Sequence, residues 1–224
     1  MIKKVSESTV GRLSVYLRLL GELEVEGVPT ASSEELARRA GTTAAQVRKD
    51  LSFFGTFGKR GLGYSVGELQ EALRSILGLQ RRWRVALVGA GRIGGALVSY
   101  PDLRRQGFHI ELVFDSDPGK VGQRWNGLMV RGESELDGVL ERTEIDIVIV
   151  AVPVEAAQAI VNRVVAAGVR AILNFAPTKL VVPVGVTVKN VDMAVELEGL
   201  SYALASGERR ARERRLRAAD GSGR

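Results

Sequence analysis

Arg84-Val85-Ala86-Leu87-Val88-Gly89-Ala90-Gly91-Arg92-Ile93-Gly94 decides the fold class of this chain. Past Arg84 its first residues are apolar, with β-branched Val85 and Val88, as a strand buried on both faces of a parallel sheet should be. They run straight into a G-x-G-x-x-G turn, and Gly95-Ala96-Leu97-Val98 continues as a helix would. A second apolar run, 110–114, ends at Asp115, about 20 residues past the last glycine, where a ribose-binding acid belongs. Outward from this unit the alternation continues, with 145–152 read as a strand, 155–167 as a helix and 171–175 as a strand. The α/β pattern predicts a Rossmann-like doubly wound parallel sheet over 81–190.

Each position of the turn has a physical task. Gly89 permits the sharp turn, Gly91 lets the backbone approach a pyrophosphate, and Gly94 allows close helix–strand packing. Ala90, Arg92 and Ile93 complete the turn and open the helix, whose N-terminus offers free N–H groups to phosphates. Arg92 either adds a phosphate contact or is a surface arginine. Asp115 is expected to accept from the adenosine ribose, and Asp117 close by would repel a 2′-phosphate, so NAD(H) is expected over NADP(H). Ligands of such sheets sit beyond the carboxyl ends of the strands, which nominates Val152, Pro153, Asn174, Phe175 and Pro177. Val152, Pro153, Phe175 and Pro177 would form an apolar nicotinamide pocket. Such a pocket prefers neutral NADH to cationic NAD+, because burying an unpaired charge is costly.

Residues 1–80 read as a separate helical module. Val10, Leu13, Tyr16, Leu17, Leu20 and Leu23 recur at three- and four-residue steps, predicting a helix capped near Ser8. Ser32 to Glu35 form a capping box for a second helix closed by Gly41, and Thr43 with Gln46 starts a third, carrying Val47, Leu51 and Phe54. Two short helices joined by a tight turn suggest a helix-turn-helix. Its second helix turns Gln46, Arg48, Lys49 and Ser52 toward solvent or DNA. The stretch 55–66 holds four glycines in its first nine residues, with Lys59 and Arg60 together, and predicts a β-hairpin wing able to reach phosphates or the minor groove. A flexible linker is the alternative. Phe57, Leu62, Tyr64 and Val66 are too apolar for one. A further amphipathic helix from Val66 to Leu77 ends at Gly78.

Charge supports the same division. The chain of 224 residues carries +6 overall. Residues 1–80 hold 11 basic and 9 acidic side chains, 81–206 are balanced, and 207–224 hold 7 basic against 3 acidic. Between Arg38 and Gly61 six cations face only Asp50, as on a phosphate-contacting surface. With no cysteine, disulfides, thiol chemistry and cysteine metal sites are excluded, and no metal is expected. No stretch approaches the roughly 20 apolar residues of a membrane span, and no signal peptide is evident, so a soluble cytoplasmic protein is expected. The single histidine, His109, starts the second strand, far from the crevice, and Tyr100 and Lys179 have no visible acid–base partner. No catalytic constellation emerges.

Taken together, the Gln46 to Ser52 run, Phe57-Gly58-Lys59-Arg60-Gly61-Leu62-Gly63-Tyr64, the GAGRIG turn and Asn174-Phe175-Ala176-Pro177 resemble the Rex family of redox-sensing transcriptional repressors. The resemblance covers nearly the whole chain apart from its last fifteen or so residues. It implies a homodimer with a winged helix-turn-helix (1–80), a Rossmann domain (81–190), a C-terminal domain-swapped helix (191–207) and a basic tail (208–224). It also implies repression through an inverted-repeat double-stranded DNA operator at low NADH:NAD+ ratio, and release by NADH. By the same resemblance Arg18, Tyr100 and Asp192 form a switch, Asp192 pairing with Tyr100 in one cofactor state and Arg18 in the other; a local hydrogen bond for each is the alternative. Met193, Leu197, Leu200 and Leu204 fall on one helical face and need an apolar partner, within a monomer or across a dimer. An NAD-dependent oxidoreductase with a basic accessory domain, and a nucleotide-binding scaffold that never touches DNA, are the competing readings.

Overall fold

The computed structural model describes residues 5–58 and 62–221, with side chains through 207. The chain divides into two compact units, Met1–Arg82 and Trp83–Arg224.

In the first unit, α1 (Glu7–Val25) buries Leu13, Tyr16, Leu20 and Leu23 on one face. Its cap is Ser6 rather than the expected Ser8: the Ser6 hydroxyl accepts from the Thr9 N–H at 3.2 Å. Thr9 lies on the buried face and Val10 is 42% exposed, so Val10 is not part of the core stripe. Helix α2 (Ser33–Ala40) is capped by Ser32 and closed by Gly41 in the left-handed region; α3 (Ala44–Ser52) is capped by Thr43. Leu36, Val47, Leu51 and, from α4 (Val66–Ile76), Leu69 and Leu73 complete one core with α1.

The centre of the hairpin expected within 55–66, residues 59–61, lies outside the described residues. Strand β2 (Tyr64–Ser65) pairs antiparallel with β1 (Thr30–Ala31), a two-residue strand ahead of α2. Gly58 lies close to Gly63, since a Cβ on Gly58 would stand 2.5 Å from the Gly63 carbonyl oxygen. At Gly63 (φ +80°) a Cβ would meet the Ala31 carbonyl oxygen at 2.6 Å, so that glycine lets the two strands close. Strands this short carry no periodicity for a sequence reading to find.

The second unit is a seven-stranded sheet. Its elements are β3 (Trp83–Val88), α5 (Arg92–Val98), α6 (Pro101–Arg105), β4 (Phe108–Asp115), β5 (Arg124–Trp125), β6 (Leu128–Gly132), α7 (Leu136–Arg142), β7 (Ile147–Val150), α8 (Val154–Ala166), β8 (Ala171–Asn174), β9 (Thr187–Asn190) and α9 (Met193–Gly221). The spatial order is β5-β6-β4-β3-β7-β8-β9, all parallel except the edge strand β5. Alternation along β3 feeds two cores. Ala86 and Val88 pack with α7 and α8, whereas Val85 and Leu87 pack with Leu97, Phe108 and Trp125 on the other face. The order reverses beside β3, between β4 and β7, and a crevice opens at such a switch point.

Candidate functional site

The crevice is built from strand ends. A cavity of about 630 Å³ lies beyond β3, β4 and β7, lined by Gly89, Gly91, Arg92, Ile93, Asp115, Ser116, Asp117, Lys120, Glu133, Val152 and Pro153 among others. A second, of about 540 Å³, shares Asp115, Ser116 and Glu133 and extends toward Pro118, Ser134 and Arg163. The two form a groove across the sheet end, each within the usual size of a small-molecule site. At Gly89 (φ +106°) any side chain would collide with the Ala151 carbonyl, and at Gly94 with the Gly89 carbonyl. Gly91 has nothing within 4 Å of a would-be Cβ, so its open face is where a ligand can approach the backbone.

Asp115 is buried (8% exposed) at the end of β4. Its Oδ2 accepts from the Ala90 N–H at 2.6 Å and the Lys120 ammonium at 3.2 Å, and its Oδ1 from the Asp117 N–H at 2.8 Å. Burial by itself would raise its pKa. The Asp117 N–H, Lys120 and the Ala90 N–H outweigh that, and the carboxyl stays below the ordinary aspartate range. It is therefore an ionised acceptor facing a groove, tied to the glycine turn through Ala90. Lys120, which also stands 3.7 Å from Asp117, was missed from the sequence because a lysine five residues past a strand end has no periodic signature. Glu133 was missed likewise; Arg163 of α8 holds it at 3.0 Å, fixing the loop after β6.

The structure separates the remaining expected cofactor residues. Val152 and Pro153 line the larger cavity. Phe175 packs into the core, Pro177 is exposed, and neither is among the residues lining that cavity. Asn174 is fully buried, with its amide nitrogen donating to the Ala176 and Thr178 carbonyls and to Asn190, and its oxygen accepting from the Ala176 N–H. It shapes the loop. His109 is half-buried in the first part of β4, at the opposite end of the strand from Asp115.

On α3 the four sequence candidates differ. Lys49 and Ser52 are exposed, the Ser52 hydroxyl donating to the Lys49 carbonyl at 2.7 Å. Arg48 is tied to the start of α2, donating to the Ser33 hydroxyl at 2.6 Å and to Glu34 at 3.1 Å. Gln46 is half-buried and donates to Asp50 at 2.8 Å. Asp50, whose α3 position lies amid the basic cluster, is fully buried and also binds Arg12 and Tyr16. Burial opposes its ionisation, but hydrogen bonds from Arg12, Gln46 and Tyr16 prevail and its pKa falls. Burial and the bond to Asp50 push the Tyr16 hydroxyl up to about 12. Lys59 and Arg60 lie outside the described residues.

Arg18 is exposed on α1, and Tyr100 is 53% exposed at the start of α6. Asp192 accepts from the Ala194 N–H at 2.9 Å and so caps α9. Met193, Leu197, Leu200 and Leu204 are each more than 60% exposed along that helix. Among the described residues no cluster of metal-ligating side chains occurs, and no helix is long and apolar enough to cross a membrane.

Fold and site together define a Rossmann nucleotide-binding protein fused to a helix-turn-helix. A family described as "Putative DNA-binding protein N-terminus" matches residues 4–52, and one described as "CoA binding domain" matches 80–178. The redox-sensing transcriptional repressor Rex of Carboxydothermus hydrogenoformans is 47% identical over 199 residues, covering 89% of this chain and 96% of that protein. Rex of Streptomyces coelicolor is 44% identical over 88% of this chain and 77% of its own length. Among solved structures, RSP in complex with β-NAD+ and operator DNA superposes with a TM-score of 0.88 at 37% identity, covering 94% of this chain and 97% of that one. RSP in complex with β-NADH gives 0.85 at 36% identity, covering 93% and 98%. The chain belongs to the Rex family of redox-sensing transcriptional repressors. These relatives are repressors rather than enzymes, and the oxidoreductase alternative has no support among them.

Proposed function

We propose that this chain is a cytoplasmic, dimeric repressor that holds an inverted-repeat operator at low NADH:NAD+ ratio and releases it when NADH fills the crevice. The observation that carries this is the buried, ionised Asp115, bonded to the glycine turn at the sheet's switch point, in a chain whose other unit is a helix-turn-helix.

Asp115 would accept from the adenosine ribose, the open face of Gly91 and the first turn of α5 would receive the pyrophosphate, and Val152 and Pro153 would wall the nicotinamide. When bound, the dinucleotide supplies the redox signal, a ring that is cationic when oxidised and neutral when reduced. Coenzyme A and NADP(H) carry an extra phosphate on that ribose. It would face Asp115 and Asp117, only partly offset by Lys120, which favours NAD(H). Of α3, the exposed Lys49 and Ser52 would meet phosphates and base edges, Arg48 would act from its anchor on α2, and Lys59 and Arg60 would contact DNA from the wing.

A twofold dimer is supported by α9, whose apolar face is exposed in a single chain and would be covered by a second copy, and it would match an inverted-repeat operator. Arg18, Tyr100 and Asp192 would couple the sites across that dimer; Asp192 meanwhile has a local role at the start of α9. The test is a parallel titration of NADH and NAD+ against the chain bound to an inverted-repeat duplex. NADH should release the DNA at concentrations where NAD+ does not. Equal effects of the two forms would overturn the reading.

A further inference from the structure

Asp50 is the most completely buried charged side chain among the described residues, and its acceptor positions are filled by a definite set of donors. Arg12 grips it with two prongs, Nε to Oδ2 at 2.6 Å and Nη2 to Oδ1 at 2.7 Å. The Tyr16 hydroxyl donates to Oδ2 at 3.0 Å, and Gln46 Nε2 to Oδ1 at 2.8 Å. An ionised carboxylate can only accept. The end of the Gln46 amide that faces it must therefore be the NH2 group. Turning the amide over would set two oxygens against each other, so Gln46 loses the freedom that a surface glutamine has to exchange oxygen for nitrogen.

The consequence falls on Oε1. It is held away from Asp50, and among the described residues no donor reaches it. Gln46 is also the third residue of α3, in the first turn, and it is the N-terminal turn of a recognition helix that meets base edges. The geometry points to Gln46 as the residue that reads an exocyclic amino group in the major groove through Oε1, with Asp50, gripped by Arg12 and Tyr16, as the positioning residue. Adenine N6 and cytosine N4 present such a group, whereas guanine O6 and thymine O4 would meet Oε1 as like acceptors. The four side chains thus convert a buried charge into a base preference. This rests on the DNA-binding reading above.

The experiment uses the full-length chain and an inverted-repeat duplex that it selects from a randomised pool. Each adenine or cytosine of the half-site is replaced in turn by purine or 2-pyrimidinone, which lack the amino group, and affinity is read by fluorescence anisotropy. At one position per half-site the wild-type chain should lose roughly tenfold, and Gln46→Met should lose nothing further there. Asp50→Asn, which can donate as well as accept and so frees the amide to turn over, should cut that discrimination to about twofold. Its NADH affinity should be unchanged. Should Asp50→Asn not fold, Arg12→Lys, which keeps the charge but gives up the two-pronged grip, should show a partial loss. Full discrimination retained by Gln46→Met, or by the folded positioning variant, overturns the inference alone. A wild-type chain that selects no duplex overturns both this and the proposed function.

Discussion

Asp115 and Asp50 show how one residue type can serve two sites through what surrounds it. Both are buried carboxylates kept ionised by donors, and both hold a neighbouring segment in place. Asp50 is closed off by side chains from α1 and from its own helix, so nothing of it remains for a ligand. Asp115 takes two of its bonds from backbone N–H groups and still faces a groove. Removing it should therefore injure binding more than folding of the N-terminal unit. Asp115→Ala is expected to weaken NADH roughly tenfold or more, the cost of hydrogen bonds to a charged group, while operator binding without cofactor stays within about twofold. Calorimetric titration and anisotropy measure the two; lost operator binding in the cofactor-free variant would count against the assignment.

Among the elements, α1 does most to organise the N-terminal unit. It supplies four fully buried side chains to the core and, from the same turns, the Arg12 and Tyr16 that grip Asp50 of α3. Hydrophobic spacing thus orients the helix, and the polar pair then sets the rotation of α3 against it. Leu20→Ala, at 0% exposure, should destabilise this unit by about 2–5 kcal/mol, the range for large-to-small changes in a packed core. Because the sheet unit has its own cores, NADH affinity should be unchanged at temperatures below the first melting transition. Calorimetry with and without NADH tests this, and a single transition lowered as a whole would refute independent units.

At the scale of the whole molecule, α9 presents Met193, Leu197, Leu200 and Leu204 along one exposed face, far more apolar surface than a finished helix leaves in water. Covered by a second copy, that face would bring two helix-turn-helix heads into one assembly, as a twofold operator requires. A charge in its middle should part them. Leu200→Glu is expected to sediment as a monomer and to lose operator affinity by a hundredfold or more, since one head alone keeps only half the contacts. A dimer of normal operator affinity would place the interface elsewhere. Linkage also requires that operator DNA weaken NADH binding by the same factor by which NADH weakens operator binding.

Repetition and motifs of fixed spacing made most of the architecture legible from the chain alone, the cap of α1 and the place of Val10 excepted. The parallel strands, the glycine turn, the caps at Ser32 and Thr43 and the acid at the end of β4 are local, because periodicity and capping act within a few residues of chain. Which groups far apart in sequence meet emerged only with the packed fold. The pairing of Thr30–Ala31 with Tyr64–Ser65, the grip of Arg12 on Asp50, the tie of Arg48 to Ser33 and the closing of Asn174 on its own loop join residues that no local pattern relates. Such contacts arise from how whole elements pack, and a polar side chain's partner depends on that packing rather than on its neighbours in sequence.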